Sequence, residues 1–228
     1  MAHAFVDDPE APELSAEDRH HLERVLRVRP GEEVTVSDGA GRWRRCRLGA
    51  GGALEPAGAV EVVPRPAPAV AVAFALTKGD RPELAVQKLT ELGVDRIVPF
   101  VAERSVVRWE GERAARHVER LRRVAREAGV QAGLAFLPSV ADLTDFPSVA
   151  ALSGAARCEP GGGPPRLEHP TLLVGPEGGW TAAEREIALP AVTLGPTTLR
   201  AETAAIAAGT VLTALRAGVV VERGRSDA

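Results

Sequence analysis

Seven consecutive apolar residues, Val70-Ala71-Val72-Ala73-Phe74-Ala75-Leu76, constrain this chain more than any other feature. A strand with one wet face alternates polar and apolar positions. A strand with no polar position must be covered on both faces, as in a parallel sheet held between helices. The next residues can supply that cover. Asp80 can cap a helix, Pro82 suits its first turn, Ala85, Leu89 and Leu92 fall on one face, and Gly93 is a ready stop. Arg96 to Phe100 reads as the next strand. A second helix spans about Glu112 to Ala128, with Ala114, Val118, Leu121, Ala125 and Ala128 along one stripe and Arg113, Arg116, Arg120 and Arg123 along another. Thr171 to Val174 is a further strand, and Thr181-Ala182-Ala183-Glu184 is a capping box that opens a helix to about Leu189. Val192 to Leu194 and a helix from about Glu202 to Ala217 complete the alternation. The pattern predicts an α/β fold with a parallel sheet. Between Pro138 and Pro170 the periodicity fades, and Glu159 to Pro165, rich in Gly and Pro, reads as loop.

The first 63 residues read differently. Ser15 begins a short capped helix with Leu22, Val25 and Leu26 on one face. Strands come next at Glu33–Ser37 and Arg42–Leu48 around the turn Asp38-Gly39-Ala40-Gly41, and another at Ala59–Val63. Pro64-Arg65-Pro66-Ala67-Pro68 is a stiff spacer with little ladder potential. The expected division is therefore a small β-rich domain over 1–68 and an α/β domain over 69–228.

Composition excludes several functions. The two cysteines, Cys46 and Cys158, have neither a Cys-x-x-Cys partner nor a histidine at ligand spacing, so no disulfide framework and no metal site is expected. A reducing, cytoplasmic setting fits. The N-terminus lacks the basic and apolar regions of an export signal, and the uncharged stretches 66–77 and 203–215 fall short of the roughly 18 residues of a membrane span. The expectation is a soluble protein with no membrane association. The five histidines are dispersed, and no Ser-His-Asp or Cys-His arrangement is suggested. With a net charge of −3, any polyanion contact must come from a local patch. Two are legible: the arginine-rich segment 113–126, and Arg42, Arg44, Arg45 and Arg47 around Trp43. Each is equally readable as a solvated face, but a basic helix and a basic strand with an aromatic in an acidic chain favour RNA.

Parallel sheets bind ligands outside the carboxyl ends of their strands. Three loops have that position: Leu76–Arg81, Val174–Trp180 and Leu194–Thr203. None carries G-x-G-x-x-G or G-K-[ST], so dinucleotide and nucleoside-triphosphate sites are not indicated. Gly175-Pro176 and Gly195-Pro196, each after a strand and only 20 positions apart, suggest one shared site. Arg200 and Glu202 stand at the start of an apolar helix, as a capping ion pair or as groups facing an anion or developing oxyanion.

These residues resemble a known family. His21-Leu22-Glu23-Arg24-Val25-Leu26-Arg27, Asp38–Gly41, Gln87-Lys88-Leu89-Thr90-Glu91-Leu92-Gly93-Val94, Glu103-Arg104-Ser105, Leu173–Gly179 and Leu194–Ala204 are similar, in that order, to the RsmE family of ribosomal RNA small subunit methyltransferases. The resemblance spans nearly the whole chain. It implies a PUA-like N-terminal β-barrel, a SPOUT-type α/β domain with a C-terminal deep trefoil knot, a homodimer, and S-adenosyl-L-methionine-dependent methylation of uridine N3 in 16S rRNA of the small ribosomal subunit. Methylation of another RNA site or a ribose hydroxyl, or a catalytically silent RNA-binding role in ribosome assembly, are the alternatives. The implied cofactor residues are Leu76, Val174, Gly175, Pro176, Glu177, Gly178, Gly179, Leu194, Gly195, Pro196, Thr198, Leu199 and Thr203. Arg200, Glu202 and Glu177 are the candidate catalytic residues. Candidate RNA contacts are Arg24, Arg27, Arg42, Arg45, Arg47, Lys88, Arg104, Arg116, Arg120 and Arg123. Val130, Leu134 and Thr197 depart from the family's usual pattern.

Overall fold

The structure, a computed structural model, describes residues 1–221. The chain divides into two units, Met1–Arg65 with Arg126–Leu137, and Pro66–Ala125 with the remainder from Pro138.

In the first unit, β1 (Ala2–Phe5) runs parallel to β2 (Glu33–Ser37), which pairs antiparallel with β3 (Arg42–Leu48). The strands β4 (Leu54–Pro56) and β5 (Glu61–Val62) both pair with β3. At the β2–β3 turn the Asp38 carboxylate accepts from the backbone N–H groups of Ala40 and Arg42 at 2.7 and 3.1 Å, the local side-chain bond that favours Asp in turns. Alternate residues Val34 and Val36 of β2, with Cys46 of β3, face a small core. As the sequence predicts, the Ser15 hydroxyl caps α1 (Ala16–His20). The expected shared face of Leu22, Val25 and Leu26 does not form. The chain passes into a π-helical turn at His21–Val25, whose wider repeat rotates the residues after it, so Leu22 is buried while Val25 and Leu26 are 59% and 43% exposed.

His3 of β1 is buried, its Nδ1 2.9 Å from the Thr35 hydroxyl, and burial pushes its imidazole pKa down to about 4. Segment 126–137, which the sequence places within the α/β stretch, belongs to this first unit. Arg126 pairs with Asp18 at 2.6 Å, donates to the Phe5 carbonyl at 3.2 Å and lies over the Phe5 ring. The Gly41 N–H donates to the Ala135 carbonyl at 3.0 Å.

The second unit is built on a seven-stranded sheet in the order β12-β10-β11-β6-β7-β8, with β9 also on β7. Its members are β6 (Ala71–Ala75), β7 (Arg96–Val101), β8 (Ser139–Val140), β9 (Thr144–Asp145), β10 (Ala155–Gly163), β11 (Thr171–Val174) and β12 (Ala191–Val192). Every pairing is parallel. The apolar run is the central strand β6, all five residues of which are buried. Its alternate side chains feed opposite layers. Val72 and Phe74 pack with residues of α2 (Arg81–Glu91), α3 (Gly111–Ala132) and α6 (Ala201–Arg216). Ala73 and Ala75 pack with Phe146 and Val149 of α4 (Phe146–Ala150) and with Trp180.

The expected loop at Glu159–Pro165 is corrected. Residues up to Gly163 continue β10, with a register shift against β12 between Cys158 and Gly163. Glycine hides this strand from sequence patterns because it serves close approach: a Cβ on Gly162 would lie 2.5 Å from the Val192 nitrogen.

Candidate active site

The middle of β10 and the carboxyl ends of β11 and β12 converge with the N-terminus of α6 on a cavity of about 290 Å³, near the lower bound of small-molecule sites, roughly 300 Å³. The two Gly-Pro loops expected to share a site do share it. Val174, Gly175, Pro176, Glu177 and Gly179 line it from one loop, and Leu194, Gly195, Thr198 and Leu199 from the other. Gly195 has φ +147°, a backbone state that side chains other than glycine rarely adopt. Four expected members do not line it. Leu76 is buried in the core under β6, Gly178 turns its Cα toward Arg104, and Pro196 and Thr203 lie outside the wall. Cys158, Glu159, Trp180, Arg185, Thr193 and Thr197 line it without having been expected.

Trp180 fixes the first loop. Its ring forms a cluster with Phe100, centroids 6.2 Å apart and planes nearly parallel, and with Phe146, while its Nε1 donates to the Cys158 carbonyl at 3.0 Å. The capping box forms on α5 (Ala182–Glu186), which ends earlier than Leu189. Thr181 donates its hydroxyl to the Glu103 carboxylate at 2.6 Å, and the Glu103 N–H donates to Glu184 at 2.9 Å. Arg104, expected on RNA, donates to the Gly178 carbonyl at 3.1 Å. The Glu103-Arg104 segment after β7 thus buttresses the glycine loop.

The ionisable groups are organised around Arg81, the first residue of α2. Its guanidinium pairs with Glu177 on the first loop, and its Nε lies 3.7 Å from Glu202 on α6. The capping pair considered between Arg200 and Glu202 is absent among the described residues, and Arg200 is exposed at the N-cap of α6. The Glu202 side chain is 11% exposed, and its Oε2 is buried without a hydrogen-bond partner. Ala201 and Ala204 of α6 line the cavity, whereas Arg200 and Glu202 do not; an orphaned buried carboxylate oxygen is an acceptor waiting for a donor. Across the cavity Glu159 is clamped by Arg157 and Arg185. Burial raises the Glu159 carboxyl, but hydrogen bonds from Arg185 and Arg157 bring it below the usual range. Cys158 is no nucleophile at neutral pH, since burial pushes its thiol up to about 12.

Of the other expected RNA contacts, several already hold acids: Arg42 pairs with Asp8, Lys88 with Glu91, Arg116 with Glu112 and Arg120 with Glu83. Arg24, Arg27, Arg45, Arg47 and Arg123 are exposed. Among the described residues no group of His, Cys, Asp and Glu could hold a metal, and no helix is long and apolar enough to cross a membrane.

Residues 64–213 match the family described as RNA methyltransferase domain, and residues 14–53 match RNA methyltransferase PUA domain. The ribosomal RNA small subunit methyltransferase E of Mycobacterium bovis is 34% identical over 220 residues, covering 86% of this chain and 83% of its own length. The chain belongs to the ribosomal RNA small subunit methyltransferase E family. The Bacillus subtilis member is 31% identical, covering 86% of this chain and 87% of its own. The Neisseria gonorrhoeae member, solved with S-adenosyl methionine bound, superposes with a TM-score of 0.76 at 30% identity, covering 94% of this chain and 98% of that one. A Legionella pneumophila methyltransferase solved with the same cofactor gives 0.80 at 26% identity, covering 93% and 97%.

Arg81 and Glu159 are among the residues that sequence reasoning missed. The signal existed, since Arg81 closes the Leu76–Arg81 loop and opens a helix. Glu159 was hidden by the glycine run that disguised its strand.

Proposed function

We propose that this protein transfers the methyl group of S-adenosyl-L-methionine to N3 of a uridine in 16S rRNA of the small ribosomal subunit, acting as a cytoplasmic homodimer. Residues 1–68 then form a PUA-like barrel, with 126–137 packed in the same unit, and the rest of 69–228 a SPOUT domain whose C-terminal part is a deep trefoil knot. The observation that carries this reading is a cavity closed by the Gly175 and Gly195 loops and lined by Glu177, which Arg81 pairs with and so links to Glu202. Its donor set fits the cofactor: apolar walls from Val174, Leu194, Leu199 and Ala204 suit a purine, and carboxylates suit hydroxyl, ammonium and sulfonium groups.

S-adenosylmethionine supplies an electrophilic methyl on a sulfonium. Uridine N3 is a weakly acidic imide and becomes nucleophilic only as its proton leaves. Glu202 is the candidate acceptor of that proton, because its Oε2 has no partner in the fold. Arg81 holds the other oxygen and so orients the free one. Glu177 is the second candidate base, with its carboxylate already engaged by Arg81. Arg200, exposed at the start of α6, is the candidate to meet the charge spreading onto uridine O2 and O4. Alignment of donor and acceptor at about 3–3.5 Å supplies much of the acceleration.

The test is nucleoside mass spectrometry of rRNA from cells with and without the gene, together with methylation of purified small subunits in vitro. Loss of 3-methyluridine on deletion and its restoration by the purified protein are expected. A 2′-O-methylated product, or no methylated product, would refute the assignment.

A further inference from the structure

Two carboxylates of the cavity wall, Glu159 and Glu177, are held in ion-pair clusters of opposite charge balance, and that asymmetry assigns a direction to whatever lies between them. At the β10 end a single carboxylate, Glu159, faces two guanidinium groups. Arg157 donates to it at 3.1 Å, Arg185 holds its other oxygen, and the side chains of Glu159 and Arg157 are 17% and 7% exposed. At the α2 end a single guanidinium, Arg81, faces two carboxylates, Glu177 and Glu202. Counting the ion-paired groups alone, one end has a cation in excess and the other an anion. Glu159 stands on β10 and Glu177 on the loop that follows the neighbouring strand β11, so the two carboxylates come from adjacent strands.

S-adenosylmethionine has a matching polarity. Its nucleoside end is neutral and rich in hydroxyls, and its other end carries a sulfonium and an ammonium. A cationic group would be repelled by the Arg157–Arg185 pair and attracted to the Glu177–Glu202 pair. A neutral donor suits Glu159, because an ionised carboxylate is acceptor-only and each of its oxygens, with one arginine bound, keeps a lone-pair site. Two acceptors side by side match two hydroxyls on adjacent carbons.

We propose that Glu159 is the acceptor for the two ribose hydroxyls of S-adenosylmethionine, fixing the nucleoside at the β10 end and directing the sulfonium toward Glu177 and Glu202. Arg157 and Arg185 are positioning residues for that carboxylate. Arg157 donates further to the Glu184 and Ile187 carbonyls at 3.1 and 3.3 Å, and Arg185 to the Trp180 carbonyl at 2.8 Å, so Glu159 is tied to the segment that carries α5. The inference rests on the cavity being the cofactor site.

The experiment is a calorimetric titration of the full chain with S-adenosylhomocysteine and three relatives: the 2′-deoxy, the 3′-deoxy and the 6-desamino compounds. Each deoxy compound is expected to bind wild type about tenfold or more weakly than the parent, the loss of a hydrogen bond to a charged group. In Glu159→Gln that penalty should shrink to about threefold or less, while the 6-desamino penalty is the same in both proteins. Equal affinity of the deoxy compounds and the parent for wild type would overturn the proposal, as would a penalty undiminished in Glu159→Gln or one that tracks the 6-amino group. The wild-type series decides by itself if Glu159→Gln does not fold. No binding of S-adenosylhomocysteine or S-adenosylmethionine by wild type would overturn the cofactor reading, and this inference with it. Tight binding without sensitivity to the hydroxyls would overturn this inference alone.

Discussion

Replacing Arg81 with methionine removes the one cation shared by Glu177 and Glu202 and keeps most of the apolar stem. At 3.7 Å the attraction between Arg81 and Glu202 is about 1 kcal/mol in bulk water and about 4.5 kcal/mol at an effective dielectric of 20. Arg81 is 32% exposed, which discounts the upper figure, whereas the burial of Glu202 rules out the lower. A loss of about 2 kcal/mol in positioning Glu202 corresponds to a roughly 30-fold fall in the chemical step. The assay is single-turnover methylation at saturating cofactor and RNA, run beside thermal melts and cofactor titrations. The expected result is that fall in rate with cofactor affinity undiminished, because the lost group is itself a cation and the ligand is cationic. Arg81→Lys should recover only part of the rate, since a point charge cannot span two carboxylates as a planar guanidinium does. Full single-turnover rate in a folded Arg81→Met protein would refute the role, and a loss of rate that merely parallels a loss of folded protein would reduce Arg81 to a structural tie.

The geometry sets three further expected outcomes. Gly175→Val should abolish measurable cofactor binding, because a Cβ there comes 2.8 Å from the Trp180 ring, whereas Gly178→Val meets only Arg104 at 3.3 Å and should change affinity less than about threefold by calorimetry. His3 is held neutral by burial, so the unfolded chain takes up a proton first as pH falls; the stabilisation is complete above about 6.5 and is lost toward about 4. Denaturant melts at pH 7.5 and 4.5 should therefore show a drop smaller by roughly 2–3 kcal/mol in His3→Gln than in wild type; equal drops would refute it. Neutralising Arg116, Arg120 and Arg123 together should lower the salt slope of RNA binding by nearer one contact, about 0.7–0.9, than three, because Arg116 and Arg120 already face Glu112 and Glu83.

The α/β alternation is legible because burial on both faces leaves β6 no polar position, and the capping box at Thr181 leaves its own signature. The two Gly-Pro loops are legible for the same kind of reason: a glycine after a strand has few uses other than a tight turn or a close approach. What the sequence could not convey is pairing. Arg200 and Glu202 stand two positions apart and suggest an ion pair, yet residues two apart on a helix do not face one another, and Glu202 finds Arg81, some 120 positions earlier. Arg120 and Lys88 look like phosphate contacts until their acidic neighbours are known. Residues 126–137 fall within the stretch 69–228 that the sequence assigns to the α/β domain, and only contacts such as Arg126 on Asp18 and Phe5 reveal that they serve the other unit.

The order of the strands also bears on how the chain is made. β6 pairs on one side with β7, about 20 residues downstream, and on the other with β11, about 100 residues downstream. At synthesis rates of roughly 5–20 residues per second, the β11-facing edge of β6 is left without its partner for roughly 5–20 seconds. During that time an apolar strand with unpaired backbone groups is open to pairing with a neighbouring chain. The site cannot form earlier, because β10, β11, β12 and the start of α6 supply its walls. The cofactor can stabilise only a chain that is almost complete, so the interval of greatest hazard is one that its binding energy cannot shorten.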